Sequence, residues 1–279
     1  MSVLSDSNAR LAAARRLTSR RARREAGRFL AEGAQAVREA LSRPGTVIEI
    51  FGSADGLRRH AELFRQSDVI VSEVSDKAAA SLSETVTPQG LVAVCRSIDA
   101  TLDQALASVP TLAVILVDAN DPGNAGTILR TADAAGAQLV IFAGDSVDPY
   151  NGKAVRATAG SLFHLDVVTG IDAVTAVGRC RERGLLTLAT SGRGADDLDV
   201  LLDDGQVLAQ PTAWLFGNEA HGLPAAVIAA AHRSVRVPVH GSAESLNLAA
   251  AAAVCLYSSA RAQRAAATRE PSPRQPKPA

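Results

Sequence analysis

The chain has 279 residues, of which 47% are apolar and only 3% aromatic, and its 29 Lys+Arg balance 29 Asp+Glu for a formal net charge of zero. That length suffices for two domains with a sizeable core, and no charge-free run of about 18 apolar residues is present to form a membrane-spanning helix. The arginine-bearing N-terminus lacks the apolar segment and cleavage site of a secretory signal. Cys95, Cys180 and Cys255 are far apart, odd in number and set mostly among apolar neighbours. They read as buried thiols of a cytoplasmic protein, and neither disulfides nor a metal site is expected.

The charge is unevenly placed. Arg10, Arg15, Arg16, Arg20, Arg21, Arg23, Arg24 and Arg28 are opposed within their own stretch by Glu25 alone. Such a cluster is a candidate phosphate-contacting surface, and the planar fork of arginine suits phosphate; a solvated helix face or a frayed arm is the plainer reading. After this helical arginine-rich sequence and Phe29-Leu30-Ala31-Glu32-Gly33, apolar positions at Ala36, Val37, Ala40 and Leu41 predict a helix ended by Pro44-Gly45. Residues 47–51 predict a strand, 57–66 a helix, 69–71 a strand and 78–82 a short helix. Pro88-Gln89-Gly90 marks a turn before a strand at 91–95. Residues 1–97 thus predict one small α/β domain.

Residues 98–110 predict a partly helical linker, and from Thr111 the alternation restarts with stronger strands. These are expected at 112–117, 139–142, 165–168, 185–189, 213–216 and 235–237, with helices at 127–135 and 171–183 among them. Apolar runs without alternation fit strands buried on both faces, so residues 111–264 predict an α/β domain on a parallel sheet. Residues 265–279, rich in Arg, Pro, Ser and Lys, predict a disordered tail.

Three loops carry the candidate chemistry. The first, Asn120 to Arg130, is a glycine-bearing turn passing into a helix, a geometry that offers backbone N–H groups to an anion. Taken alone it reads more simply as a strand–turn–helix connection with a surface arginine. Asn124 and Arg130 lie about one and two-thirds helical turns apart. The second follows the strand at 213–216: Gly217 and Gly222 permit tight backbone, and Pro224 suits the first turn of a following helix. Glu219 sits at a strand's C-terminal end, where open α/β sheets bind ligands, although a solvated carboxylate reads as well there. The third runs from Val235 through Pro238 to a predicted helix start near Ser245 and Asn247, good helix-capping types; by itself it is a capped core helix after a strand.

Taken together and in this order, N-D-P-G-N-A-G-T-I-L-R, L-F-G-N-E-A-H-G-L and V-P-V-H-G-S-A-E-S-L-N closely resemble the three motifs of the SpoU (TrmH-like) RNA ribose 2′-O-methyltransferases of the SPOUT superfamily. R-E-A-G-R-F-L-A-E-G-A-Q-A-V-R-E-A-L and T-P-Q-G-L-V-A-V resemble the substrate-binding domain many members carry, with the thiostrepton-resistance and general rRNA methylases as the nearest relatives considered. The resemblance implies a C-terminal parallel-sheet domain threaded into a deep trefoil knot, an exception to the rule against knots. It implies S-adenosylmethionine bound in that knot, with Gly217, Val237 and Leu246 matching cofactor contacts and the backbone around Thr190 and Pro238 completing the pocket. It implies a homodimer packed through the knot, and a role for Arg130 acting with an RNA phosphate to activate the ribose hydroxyl. Asn124, Glu219, Ser245 and Asn247 match residues that hold the ribose, the arginine and the loops.

The front domain favours rRNA, 23S first, over tRNA, and the arginine cluster is expected on RNA backbone. Methyl transfer from a sulfonium calls for no metal. A non-catalytic RNA-binding or ribosome-assembly protein on the same fold would have lost Arg130, Glu219 or Asn247, and none is lost. A nucleotide-binding oxidoreductase would need the G-x-G-x-x-G pattern, which is missing.

Overall fold

The computed structural model of the chain describes residues 3–65, 67–85 and 87–269. The first sheet is built from β1 (Arg28–Glu32), β2 (Val47–Gly52), β3 (Ile70–Glu73) and β4 (Leu91–Arg96) in the order β1-β4-β2-β3. β4 runs antiparallel to β1 and β2, while β2 and β3 are parallel. Around it lie α1 (Ala9–Arg16), α2 (Arg20–Ala26), α3 (Ala34–Ser42), α4 (Ala54–Arg59) and α5 (Asp76–Ala80). Leu11 and Leu17 from the arginine-rich segment join Leu30, Phe51, Leu82 and Val92 in one buried cluster. The arginine-rich arm is therefore two helices with an apolar underside, not a frayed extension. The helix expected at 57–66 is shorter and earlier: Ser53 Oγ accepts from Gly56 N and starts α4, which stops at His60 before a 3-10 turn at Ala61–Leu63. Gln66 lies outside the described residues.

The expected linker contains α6 (Leu102–Ala105), started by a reciprocal capping box between Thr101 and Gln104. The remaining elements are β5 (Leu112–Val117), α7 (Pro122–Ala135), β6 (Leu139–Ala143), α8 (Gly152–Ala157), β7 (Asp166–Ile171), α9 (Ala173–Glu182), β8 (Leu186–Thr190), β9 (Asp196–Asp197), α10 (Leu198–Asp204), β10 (Thr212–Phe216), α11 (Ala225–Ala230), β11 (Arg233–Arg236) and α12 (Leu248–Arg269). The second sheet has the order β7-β6-β5-β10-β8-β11-β9. Its pairings β6–β5, β5–β10, β10–β8, β8–β11 and β11–β9 are all parallel. Every residue of β5, β6 and β10 is buried, as their unbroken apolar runs require of strands covered on both faces. α12 docks on this sheet through Trp214, whose indole N–H donates to Ser259 Oγ at 2.9 Å, and through Gln263, which donates to the Thr111 and Gln210 carbonyls.

Two helix boundaries correct the sequence reading. α7 begins at Pro122, five residues before the expected 127, and so takes the glycines of the first motif into its opening turns. α12 begins at Leu248, after Ser245, and runs to Arg269, into the expected tail. Alanine is the best helix former, and the Ala-rich stretch carries the helix past residue 264. The rest of that expected tail, residues 270–279, lies outside the described residues.

The chain divides into two compact units. The first holds the described residues up to Ala100 with Asn120–Asp133 and Asp145–Val167; the second holds Thr101–Ala119, Ala134–Gly144 and the described residues from Val168 onward.

Candidate active site

The C-terminal ends of three neighbouring strands of the second unit, β8, β10 and β11, open on one cleft of about 670 Å3. This is where parallel α/β sheets bind ligands, and the size is that of a small-molecule site. β8 contributes Thr190, β10 leads into Gly217 and Glu219, and β11 leads into Val237 and Pro238. The segment returning to α12 adds Ser245, Leu246 and Asn247. All five expected cofactor contacts therefore border one cleft, together with three of the five residues expected at the reaction centre.

Local chemistry explains the shape. At Gly217 an added Cβ would run into the backbone of Gly222 and Leu223, where Asn218 and Gly222 exchange backbone hydrogen bonds of 3.1 and 2.8 Å. No larger residue fits that hairpin-like turn. Thr190 Oγ1 donates to the Leu215 carbonyl at 2.8 Å, tying the end of β8 to β10 and leaving main chain toward the cleft. Asn247 Oδ1 accepts from Ala249 N at 2.9 Å and from Ala250 N at 3.3 Å. It therefore caps α12 and fixes where the loop from Pro238 must end.

Among the cleft residues that sequence reasoning passed over are Asn218, Arg236 and Glu244. Arg236 is held to Asp197 by contacts of 2.9 and 3.1 Å and pins β9 beside the cleft wall. Asn218 had one signal, its place between Gly217 and Glu219 in the second motif. The acidic pair Glu219 and Glu244 gives the cleft a lining complementary to a cation.

Asn124 and Arg130 lie on α7, in the first unit. Asp121 caps this helix: its Oδ1 accepts from Asn124 N at 2.7 Å, with Pro122 in the first helical position. That bond, followed by Lys153 at 3.1 Å, holds the Asp121 carboxyl below its ordinary range. Gly126 serves packing, since a Cβ there would strike the Ala154 carbonyl and the Ala157 side chain of α8. The first motif's glycines thus belong to a helix and its contact, not to a phosphate-cradling turn. Arg130 is exposed, and its side chain makes no hydrogen bond or ion pair among the described residues.

The arginines separate by partner. Arg23 is a correction to the expected RNA-facing set: it is 5% exposed, paired with Asp148 at 2.7 Å, and donates to the Leu17 and Thr18 carbonyls. Arg10 pairs with buried Glu49, Arg15 bonds Ser81 and the Asp6 carbonyl, Arg20 bonds the Ser146 carbonyl, and Arg21 pairs with Glu25. Arg16, Arg24 and Arg28 are exposed and make no such bond among the described residues. Among those residues there is also no cluster of three or more His, Cys, Asp or Glu able to hold a metal, and no helix long and apolar enough to cross a membrane. The three cysteines are buried, and burial pushes their thiols up, that of Cys180 to about 12.

The chain is similar to known proteins over most of its length. The SpoU rRNA Methylase family model matches residues 111–257, and an MRM3-like substrate binding domain matches residues 8–93. A 23S rRNA (guanosine(2553)-2′-O)-methyltransferase of Bacillus subtilis is 34% identical over 245 residues, 87% of this chain and 92% of its own length. A 23S rRNA (uridine(2479)-2′-O)-methyltransferase of Streptomyces viridochromogenes is 32% identical, covering 90% of this chain and 94% of its own. The crystal structure of the SpoU methyltransferase AviRb from that organism, in complex with the cofactor AdoMet, superposes with a TM-score of 0.81 at 32% identity, over 92% of this chain and 98% of that one.

Proposed function

The chain belongs to the SpoU rRNA methylase family, and from that premise we propose that it is an S-adenosylmethionine-dependent methyltransferase acting on a ribose 2′-hydroxyl of ribosomal RNA, 23S rRNA first. The observation that carries this reading is the single cleft at the ends of β8, β10 and β11. It gathers Thr190, Gly217, Val237, Pro238 and Leu246 beside Glu219, Ser245 and Asn247. The cofactor fits that lining: main chain and small residues admit a flat adenosine, and Glu219 and Glu244 complement a cationic sulfonium and ammonium.

S-adenosylmethionine supplies a methyl on sulfonium sulfur, so a C–O bond forms as the C–S bond breaks and the hydroxyl proton leaves. The 2′-hydroxyl is a weak nucleophile and needs alignment and a proton acceptor. Arg130 stays protonated and is no base; its exposed guanidinium binds an RNA phosphate and orients the hydroxyl beside it. Asn124, set by the Asp121 cap, and Ser245 hold the ribose. Glu219 supports the cofactor loop from the cleft wall, and Asn247 positions that loop by capping α12.

The same reading places the segment from Pro238 through α12 in a trefoil knot. It pairs two copies through α12, where Val254 and Tyr257 are exposed at 43% and 53%. Arg16, Arg24 and Arg28 are the arginines best placed for RNA backbone, with Arg10, Arg15, Arg20 and Arg21 in support. Its place is the cytoplasm, with its rRNA substrate.

The test is transfer of labelled methyl from S-adenosylmethionine to unmodified 23S rRNA, 16S rRNA and tRNA transcripts, with Arg130→Ala in parallel. Label on 23S rRNA that maps to a ribose and is lost in the variant is the expected result. No label on any RNA together with no affinity for S-adenosylmethionine would overturn the reading.

A further inference from the structure

The first unit carries a cavity of about 250 Å3 that the mechanism above does not use. Its polar walls are Glu32, Gln35, Thr85, Thr87, Gln89 and Arg156. Charge inside it is compensated: Arg156 Nη1 donates to Glu32 Oε2 at 3.3 Å, and Glu32 Oε1 accepts from the hydroxyls of Ser83 and Thr85. Those two side chains are only 27% and 8% exposed. An anion such as phosphate is held by cations left in excess, and here the nearest cation already has its carboxylate. What the cavity offers is neutral and directional: the remaining N–H groups of Arg156, the Gln89 amide and the Thr87 hydroxyl. Gln89 is held in place because its Oε1 accepts from Ala34 N at 3.1 Å, which leaves Nε2 to donate.

Three residues beyond Arg156 the lining has a second feature. Ala159 sits at φ +50°, a conformation that L-residues other than Gly, Asn and Asp seldom adopt. It is held by Ala159 N donating to the Arg156 carbonyl at 3.1 Å and by Gly160 N donating to Thr158 Oγ1 at 3.3 Å. Gly160 itself is at φ +102°, where a Cβ would strike Glu39. Backbone held in this way concentrates at binding sites.

We propose that this cavity receives a single unstacked base of the RNA substrate, one that presents carbonyl acceptors, guanine or uracil, with Arg156, Gln89 and Thr87 as donors. The proposal rests on the methyltransferase reading and deepens it. Unpaired RNA bases are held by stacking on aromatic rings or guanidinium planes and by hydrogen bonds to their edges. Phe29, Phe51, Tyr150 and Phe163 of this unit are buried and none of the residues lining the cavity is aromatic, so the base is held by hydrogen bonds to its edge. Guanine O6 and N7 match an arginine fork, and uracil O4 is an acceptor where adenine has an amino donor. The two relatives described above modify a guanosine and a uridine, so selection by a site apart from the cofactor cleft is consistent with a shared reaction centre.

The experiment compares full-length wild type with Thr87→Val, Gln89→Ala and the double variant. Binding of the RNA hexamers U6 and A6 is measured without turnover, and the KM for 23S rRNA, kcat, S-adenosylmethionine affinity and salt dependence are measured separately. We expect wild type to prefer U6 over A6 and the double variant to lose that preference. Its KM for rRNA should rise about tenfold, the cost of losing specific base contacts, with kcat and cofactor affinity unchanged. Because both side chains are neutral, the salt slope should not move.

An unchanged KM and hexamer preference in the double variant would overturn the proposal, as would a changed salt slope, which belongs to phosphate. Should Gln89→Ala loosen α3, as thermal unfolding would report, Thr87→Val decides alone, since Thr87 makes no hydrogen bond among the described residues. Wild type without methyl transfer or cofactor affinity would count against the enzyme reading, and the hexamer comparison keeps that outcome separate.

Discussion

Asn218 Nδ2 donates to the main-chain carbonyl of Asp118 at 2.9 Å, and Asp118 is held at φ +52°. The same amide's Oδ1 accepts from Ala220 N at 2.9 Å and His221 N at 3.2 Å. One side chain thus folds the loop after β10 and ties it to the residue that follows β5. Gly144 is close enough that a Cβ there would strike the Asp118 carboxylate, so Asp118 has little room to relax. Asn218→Ala should raise the Kd for S-adenosylmethionine about tenfold, equivalent to about 1.4 kcal/mol, because it removes the bonds that fold the loop and tie it to Asp118. Isothermal titration measures this, and a wild-type Kd would show that the loop holds its shape without the amide.

Gly217→Ala tests the close approach of the same loop. Its Cβ would meet the Gly222 and Leu223 backbone, which cannot move without breaking the Asn218–Gly222 pair. Forced overpacking of this kind costs about 1–3 kcal/mol. The expected result is a lowered Tm and loss of cofactor binding, read by thermal unfolding with and without S-adenosylmethionine. A wild-type stabilisation by the cofactor would refute the steric argument.

How far the sequence could be read follows from where the information lies. β5 and β10 were legible because unbroken apolar runs, here 112–117 and 213–216, have few uses besides strands buried on both faces. The start of α7 was misread because Asn, Asp, Pro and Gly are turn residues by type, yet Asp121 and Pro122 are also what a helix start requires. The identity of Gly126 records the backbone of Ala154 on another helix, and no local window contains that neighbour. Arg23 and Arg24 are alike in sequence, and they are distinguished by Asp148, 125 positions away, with the Leu17 and Thr18 carbonyls. The cleft residues were legible as motifs, but not the cap, clamp and tie that Asn247, Asn218 and Thr190 provide.

The difference between those two arginines is measurable. Arg23→Ala strips the largely covered Asp148 carboxylate of its buried partner, and breaking a buried pair costs about 3–5 kcal/mol; urea unfolding should show it. Arg24 is exposed, so Arg24→Ala should leave the urea midpoint in place. Neutralising Arg16, Arg24 and Arg28 together should lower the slope of log affinity for RNA against log salt by about two units, at ~0.7–0.9 per phosphate contact. An unchanged slope would remove these residues from the RNA surface.

His164 gives the first unit a pH dependence whose sign can be worked out. Its Nδ1 lies 2.8 Å from Asp133 Oδ2 and its Nε2 3.2 Å from Glu39 Oε2. The hydrogen bond to Asp133 is the main reason that its pKa stands above 6.5, partial burial opposes it, and Glu39 adds to the rise. The imidazolium is therefore stabilised by folding. Its contribution is fully present below the unfolded value of about 6.5, while both carboxylates remain ionised, and is lost as the pH rises through the higher folded pKa. His164→Gln should lower the urea midpoint between about pH 5 and 6.5. The gap to wild type should close at higher pH, where the imidazole is neutral and no longer draws on either charge. A gap that stays constant across that range would mean that the two contacts act by packing and hydrogen bonding alone.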